Sequence, residues 1–94
     1  MENKSWYVYM VQCSDSTIYT GITNDLAARI KKHNSGKGAK YTRSRIPVKL
    51  KASWSYELKS EAAKAEYAFK KLSRTEKMKL IRDYREKGID LRFT

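Results

Sequence analysis

Tyr9, Tyr19, Arg29, His33 and Glu66 are the side chains whose types and spacing could do chemistry in this sequence, and together they suit one reaction class. A guanidinium presents a fixed fork of donors to a non-bridging phosphate oxygen and keeps its charge throughout. A carboxylate can anchor a hydrated Mg²⁺ while the substrate supplies other ligands, and the ion neutralises the leaving oxygen. A phenol, with an ordinary pKa of about 10, becomes a useful base only where a neighbouring cation favours the phenolate. The reaction class these residue types suit is hydrolysis of a phosphodiester.

Spacing decides whether these groups can meet. Arg29 and His33 are four residues apart, so on a helix they stack along the edge of the Leu26 and Ile30 stripe, half-buried at the rim of a sheet. Glu66 falls between Ala62 and Phe69 on one helical side, a carboxylate bordering an apolar stripe. Tyr9 and Tyr19 share a sheet face only if paired residue numbers sum to an even value, which a three- or five-residue turn gives and a four-residue turn does not. Each residue also has a plainer reading. The tyrosines suit strand packing, Arg29 can pair with Asp25, His33 can cap a helix C-terminus, and Glu66 can pair with Lys70.

Other catalytic sets are poorly represented. With one His and one Cys, far apart, nothing supports a Cys–His nucleophile, and Cys13 reads as a small core residue. There is no HExxH and no close acid pair of a glycosidase or two-metal kind. Gly36, Lys37, Gly38, Ala39 and Lys40 are glycine-rich and basic but lack P-loop spacing, and no strand leads into them.

The elements that must position these groups are short. Residues 6–13 are aromatic and β-branched, end at Ser14, Asp15 and Ser16, and pair as a hairpin with residues 18–23. Thr23, Asn24 and Asp25 offer an N-cap and a first-turn carboxylate to a helix that ends near Ser35 and Gly36. Residues 34–47 form a long connection, and in so small a domain such loops are usually functional. Val48, Leu50, Ala52, Trp54 and Tyr56 alternate with polar residues, predicting a strand with one buried face. Ser60 caps a second helix. Ser73 and Glu76 fit a capping box opening a third, over about residues 74–87, with Gly88 as its stop. The fold class is α/β of the α+β type: a three-stranded, mainly antiparallel sheet with flanking helices in the order β-β-α-β-α-α.

Ninety-four residues allow one domain, 1–94, with a motif core over about residues 6–72. The polar start and the lack of an apolar run predict no signal peptide and no membrane span, and a lone cysteine suits a reducing, cytoplasmic setting. The net charge of +11 points to a polyanion. Nine basic residues and no acidic one lie between Leu26 and Tyr56, so the charge is a patch rather than a uniform property. Lys32, Lys37, Lys40, Arg43 and Arg45 would meet phosphates, with Tyr41 available to stack on a base.

Tyr7, Val8 and Tyr9, followed ten residues after Tyr9 by Tyr19, Thr20 and Gly21, resemble the paired motif of the GIY-YIG nuclease superfamily. Arg29 and His33 stand where that family carries its catalytic arginine and a helical histidine, and Glu66 matches its metal-binding glutamate. The stretch from Gly21 to Tyr41 resembles the small stand-alone bacterial members, which are mostly uncharacterised. The resemblance implies hydrolytic cutting of DNA with one divalent ion, Mg²⁺ or Mn²⁺, on Glu66. Tyr19 would be the general base or would orient the water, Tyr9 would support the phosphate or nucleophile, Arg29 would stabilise the pentavalent phosphate, and His33 would assist proton transfer or phosphate binding.

The expected function is therefore a metal-dependent DNA endonuclease or phosphodiesterase. With no helix-turn-helix and no zinc finger, recognition would depend on DNA shape, with branched, nicked or damaged DNA as substrate, as in DNA repair, and a protein partner could supply specificity. The alternative is a nucleic-acid-binding module of the same fold with little turnover. Its support is that no asparagine follows the glutamate, as one does in several family nucleases, and that Ile22 replaces a lysine common in the repair members. A third reading, an adaptor whose basic face meets an acidic protein, is weaker. The loop over residues 34–47 is expected to be mobile until DNA binds.

Overall fold

The computed structural model describes the backbone of residues 5–92 and the side chains of residues 5–86; the polar N-terminal start and the last two residues lie outside it. Three strands, β1 (Trp6–Gln12), β2 (Ile18–Thr23) and β3 (Lys49–Tyr56), form an antiparallel sheet in the order β2-β1-β3. The helices are α1 (Leu26–Asn34), α2 (Lys40–Arg43), α3 (Lys59–Lys70) and α4 (Arg74–Arg92). The expected α+β architecture and element order hold, with α2 added inside the long connection. None of the helices is long and apolar enough to cross a membrane, among the described residues.

The hairpin turn has five residues, 13–17, because Gln12 pairs with Ile18. Cys13 N–H donates to Thr17 O (2.8 Å) and Ser16 N–H to Cys13 O (2.9 Å). Asp15 Oδ1 accepts from the Thr17 N–H (3.1 Å) and hydroxyl (2.6 Å). This odd-length turn gives the even register that the two tyrosines need. Tyr9 lies opposite Gly21 and Val11 opposite Tyr19, so both phenols emerge on one face.

That face carries Tyr9, Val11, Cys13 and Val48, closed by Tyr19, Leu26 and Ile30. The opposite face carries Met10 and Ala52 against Ile81, Met78 and Tyr84 of α4, with Trp54 edge-on to Phe69 of α3 (5.0 Å). Val48 and Ala52 thus belong to different clusters, although the period-two pattern expected one buried face. The register shifts by one residue where Met10 pairs with Ala52 but Val11 pairs with Leu50. Lys51 is the extra residue of a β-bulge, and one extra residue exchanges the two faces of a strand. Leu50, opposite Val11, is exposed.

The helix ends follow local hydrogen bonding. Asp25 is itself the N-cap of α1, accepting from Ala28 N–H (3.1 Å), rather than a first-turn carboxylate. The helix closes at Ser35, and Gly36 follows at φ +83°, where a residue without Cβ is unstrained. The second long helix starts at Lys59, not at Ser60. Its N-cap is Leu58, whose backbone N–H donates to Glu61 Oε1 (3.3 Å), so Ser60 is already helical. The Ser73–Glu76 capping box is present in both directions, at 2.9 and 3.2 Å. α4 runs on past Gly88 to Arg92; a mid-helix glycine costs about 1 kcal/mol relative to alanine and does not by itself end a helix.

Candidate active site

Tyr9 is the centre of the site. It is 0% exposed, and its hydroxyl meets His33 Nε2 at 2.8 Å and accepts from Arg29 Nε at 3.3 Å. His33 is 0% exposed as well, deeper than the half-buried rim position expected for it, and its Nδ1 meets Thr42 Oγ1 at 2.8 Å. Thr42 Oγ1 in turn donates to Ala39 O (3.2 Å). If the threonine proton is directed to Ala39, His33 carries its proton on Nδ1, and Nε2 accepts from the Tyr9 hydroxyl. The line Arg29, Tyr9, His33, Thr42, Ala39 is then satisfied along its length.

Burial, and secondarily the Arg29 charge, hold the His33 imidazole below its ordinary value, so it is neutral near pH 7. Burial also raises Tyr9 above the ordinary phenol value, against the opposing hydrogen bond and charge of Arg29. Tyr9 is therefore a neutral phenol that holds Arg29 and His33, not a base. Arg29 donates its other described bond from Nη2 to Gly38 O (3.3 Å), which leaves further N–H donors of a partly exposed guanidinium. It makes no ion pair with Asp25; among the described residues the ion pairs are Arg45–Asp15 and Lys70–Glu66.

Tyr19 sits at the edge of this cluster. Its ring centroid lies 6.4 Å from that of Tyr9, 5.4 Å from His33 and 5.8 Å from Tyr41. It is half-buried, and its hydroxyl has no hydrogen-bond partner among the described residues. Glu66 approaches from α3, close enough that its charge raises Tyr9 further. Its side chain is 22% exposed and its carboxylate pairs with Lys70 at 3.3 Å, while Lys70 Nζ lies 5.9 Å from the Tyr19 ring centroid. The i,i+4 pairing is thus real, and it lies at the edge of the aromatic cluster. No three His, Cys, Asp or Glu side chains gather among the described residues. One carboxylate beside open space suits a hydrated divalent ion that takes most of its ligands from water and substrate, not a closed protein cage.

Two glycines make the packing possible. Gly21 faces the Tyr9 ring directly, so a tyrosine fills this bare point of β2. Gly38 lies against the backbone and ring of His33, so the strap over residues 35–47 closes on α1. The strap is fastened, not loose as the sequence suggested, which argues against a loop that closes on DNA as a clamp. Thr42 is buried under it, and Asn34 bonds both the N–H (2.6 Å) and C=O (3.2 Å) of Val48. Arg45 reaches Asp15 (2.9 Å) and Tyr41 O (2.7 Å), and its guanidinium lies 4.0 Å from the Tyr41 ring centroid. Tyr41, 38% exposed, already stacks on Tyr19. Lys32, Lys37, Lys40 and Arg43 are exposed and make no ion pair among the described residues. Thr42 and Gly38, which fix His33, were not singled out from the sequence.

The three-stranded sheet and its flanking helices belong to a known class. Residues 5–80 match the GIY-YIG catalytic domain, and the chain belongs to that family, a nuclease-type family whose enzymes generally use a divalent metal on nucleic acid. Within it, the chain is similar to the UPF0213 proteins of bacteria. It is 50% identical over 90 residues to one from Bacillus licheniformis, covering 96% of this chain and 93% of that protein. A Staphylococcus aureus relative is 51% identical over 79 residues, covering 84% and 96%. The solution structure of a UPF0213 protein from Bacillus halodurans, 52% identical, superposes with a TM-score of 0.54 over 82% of each chain. The solution structure of a protein from E. faecalis, 44% identical, superposes with a TM-score of 0.60 over 90% of this chain and 92% of that one.

Proposed function

We propose that this protein is a metal-dependent endonuclease that hydrolyses phosphodiester bonds in DNA, directed by DNA structure rather than sequence. The observation that carries the reading is the Tyr9 hydroxyl, which ties Arg29 and His33 into one hydrogen-bonded line while Tyr19, its hydroxyl unpartnered among the described residues, stands beside it. The free N–H donors of Arg29 would bind a non-bridging oxygen and stabilise the charge of the pentavalent phosphate. Tyr19 would orient the attacking water or serve as the general base that takes its proton. Tyr9 and His33 would act behind Arg29 as positioning residues, since neither has exposed surface to touch the phosphate. Glu66 would hold Mg²⁺ or Mn²⁺, displacing Lys70 from its carboxylate. When bound, the ion would supply charge neutralisation at the leaving oxygen.

Lys32, Lys37, Lys40 and Arg43 on α1 and the strap would contact phosphates, and Tyr41 with Arg45 would form the edge of that surface. A partner protein could add specificity to so small a domain, and the cytoplasm is the setting we assign. The alternative of a binding module without turnover rests on the Lys70–Glu66 pair, which occupies the only carboxylate at the cluster among the described residues. Incubation with branched, nicked and linear DNA in Mg²⁺ or Mn²⁺ separates the two. Cleavage by the wild type and none by Glu66→Ala, with DNA binding retained, supports the enzyme; binding by both without cleavage supports the module.

A further inference from the structure

α4 carries a second cationic feature, away from the phenol cluster. Arg74 and Lys77, one turn apart, line a recess of about 200 Å³ with Thr17 and Ile18 of the hairpin. Arg74 Nη1 donates to Ser16 O, which fixes the guanidinium against the turn and leaves its other N–H groups for a ligand. Neither cation has an acidic partner within ion-pair distance among the described residues. The nearest acid on the turn is fully occupied: Asp15 Oδ1 holds Thr17 and Oδ2 holds Arg45.

Burial, and then the charge of Lys70, pull the Lys77 amine below its ordinary value. An incoming anion offsets the repulsion between the two ammonium groups and favours the charged amine. Lys77 is thereby linked to Lys70, and Lys70 lies against Tyr19 and Glu66. The same five-residue turn holds the strap, through Ser14 N–H to Arg45 O (2.8 Å) and Asp15 to Arg45, and holds α4 through Ser16. Basic surface therefore flanks this turn on two elements, and it reaches the phenol cluster through the strap and through Lys70.

We infer that the recess between the hairpin turn and α4 is a second phosphate-binding site, in which Arg74 and Lys77 grip the DNA backbone at a phosphodiester other than the one being cut. This rests on the reading of the protein as acting on DNA and names a contact that reading does not include. A substrate held at both places would extend past the scissile bond, as an internal cut requires.

The test is the salt dependence of binding to linear duplex DNA without divalent metal, for the wild type, Lys77→Gln, Arg74→Gln/Lys77→Gln and the charge-preserving Lys77→Arg. Each phosphate contact contributes about 0.9 to the slope of log K against log salt. The expected slope falls by about 0.9 in Lys77→Gln and about 1.8 in the double variant, and is kept in Lys77→Arg. Lys77→Gln removes no hydrogen bond found among the described residues, so it answers even if the double variant unfolds. A wild-type slope with no change in Lys77→Gln overturns the second site and leaves the proposed function standing. A wild type that binds no DNA at any salt overturns both.

Discussion

Tyr9 fills the space that a side chain at Gly21 would need. A methyl group added at residue 21 would lie 2.5 Å from the Tyr9 hydroxyl and 2.7 Å from the ring carbon that bears it. The ring cannot simply swing away, because it is wholly buried and its hydroxyl is held by His33 and Arg29. The glycine of the second motif triplet is therefore required by the tyrosine of the first. Gly21→Ala is expected to destabilise the fold by about 1–3 kcal/mol, the usual cost of overpacking, and to impair catalysis by moving Arg29. Denaturant unfolding checks the first effect and single-turnover cleavage the second.

The lone histidine sets a pH dependence. Its folded pKa lies below the unfolded value of 6.5, so the unfolded chain binds more protons in the window below 6.5. The stability that neutral His33 contributes is present in full above that value and is lost as pH falls through it toward the lower folded pKa. The urea midpoint of the wild type should drop between pH 7.5 and 5.5, and that of His33→Gln should change less over the same window. Equal slopes for both would contradict a neutral buried imidazole.

Thr42 joins the strap to the site through one oxygen. Thr42→Val keeps the shape but leaves His33 Nδ1 without its partner, at an expected cost of about 1–3 kcal/mol. Cleavage should fall with stability, while the metal concentration for half-maximal rate should stay as in the wild type, because Glu66 lies on a different element. Chemical denaturation and a Mg²⁺ titration read the two separately.

Thr20 offers the opposite test. Its hydroxyl is buried, with no hydrogen-bond partner among the described residues. Thr20→Val removes an unsatisfied polar group from the core and should stabilise the protein by roughly 1 kcal/mol. A loss of stability would mean that this hydroxyl is satisfied in solution.

Lys70 should compete with metal for Glu66. Lys70→Met removes the ammonium from the carboxylate, so Mg²⁺ activation is expected at several-fold lower ion concentration. Activation at unchanged concentration would argue against Glu66 as the metal ligand.

Much of this was legible in the sequence, for stated reasons. The shared face of Tyr9 and Tyr19 depended only on the parity of the turn, and three polar residues after Cys13 allowed few lengths. Arg29 and His33 followed from helical spacing, although the depth of His33 did not, since it depends on Gly38 folding back over α1. Thr42 was hidden because a four-residue helix inside a polar loop has no periodicity to betray a buried face. The bulge at Lys51 was hidden for the opposite reason: alternation continues through residues 48–56 while the pairing slips beneath it. Glu66 pairs with Lys70, as their i,i+4 spacing allows.

The central claim is that Arg29 acts on the scissile phosphate from its seat on Tyr9. The most direct measurement is the single-turnover rate of DNA cleavage in saturating Mg²⁺ for Arg29→Ala and Tyr9→Phe, with binding measured in parallel. The account predicts that Arg29→Ala loses at least ~10²-fold in rate with little change in affinity, and that Tyr9→Phe loses less, in the same direction. Cleavage by Arg29→Ala at the wild-type rate would contradict it.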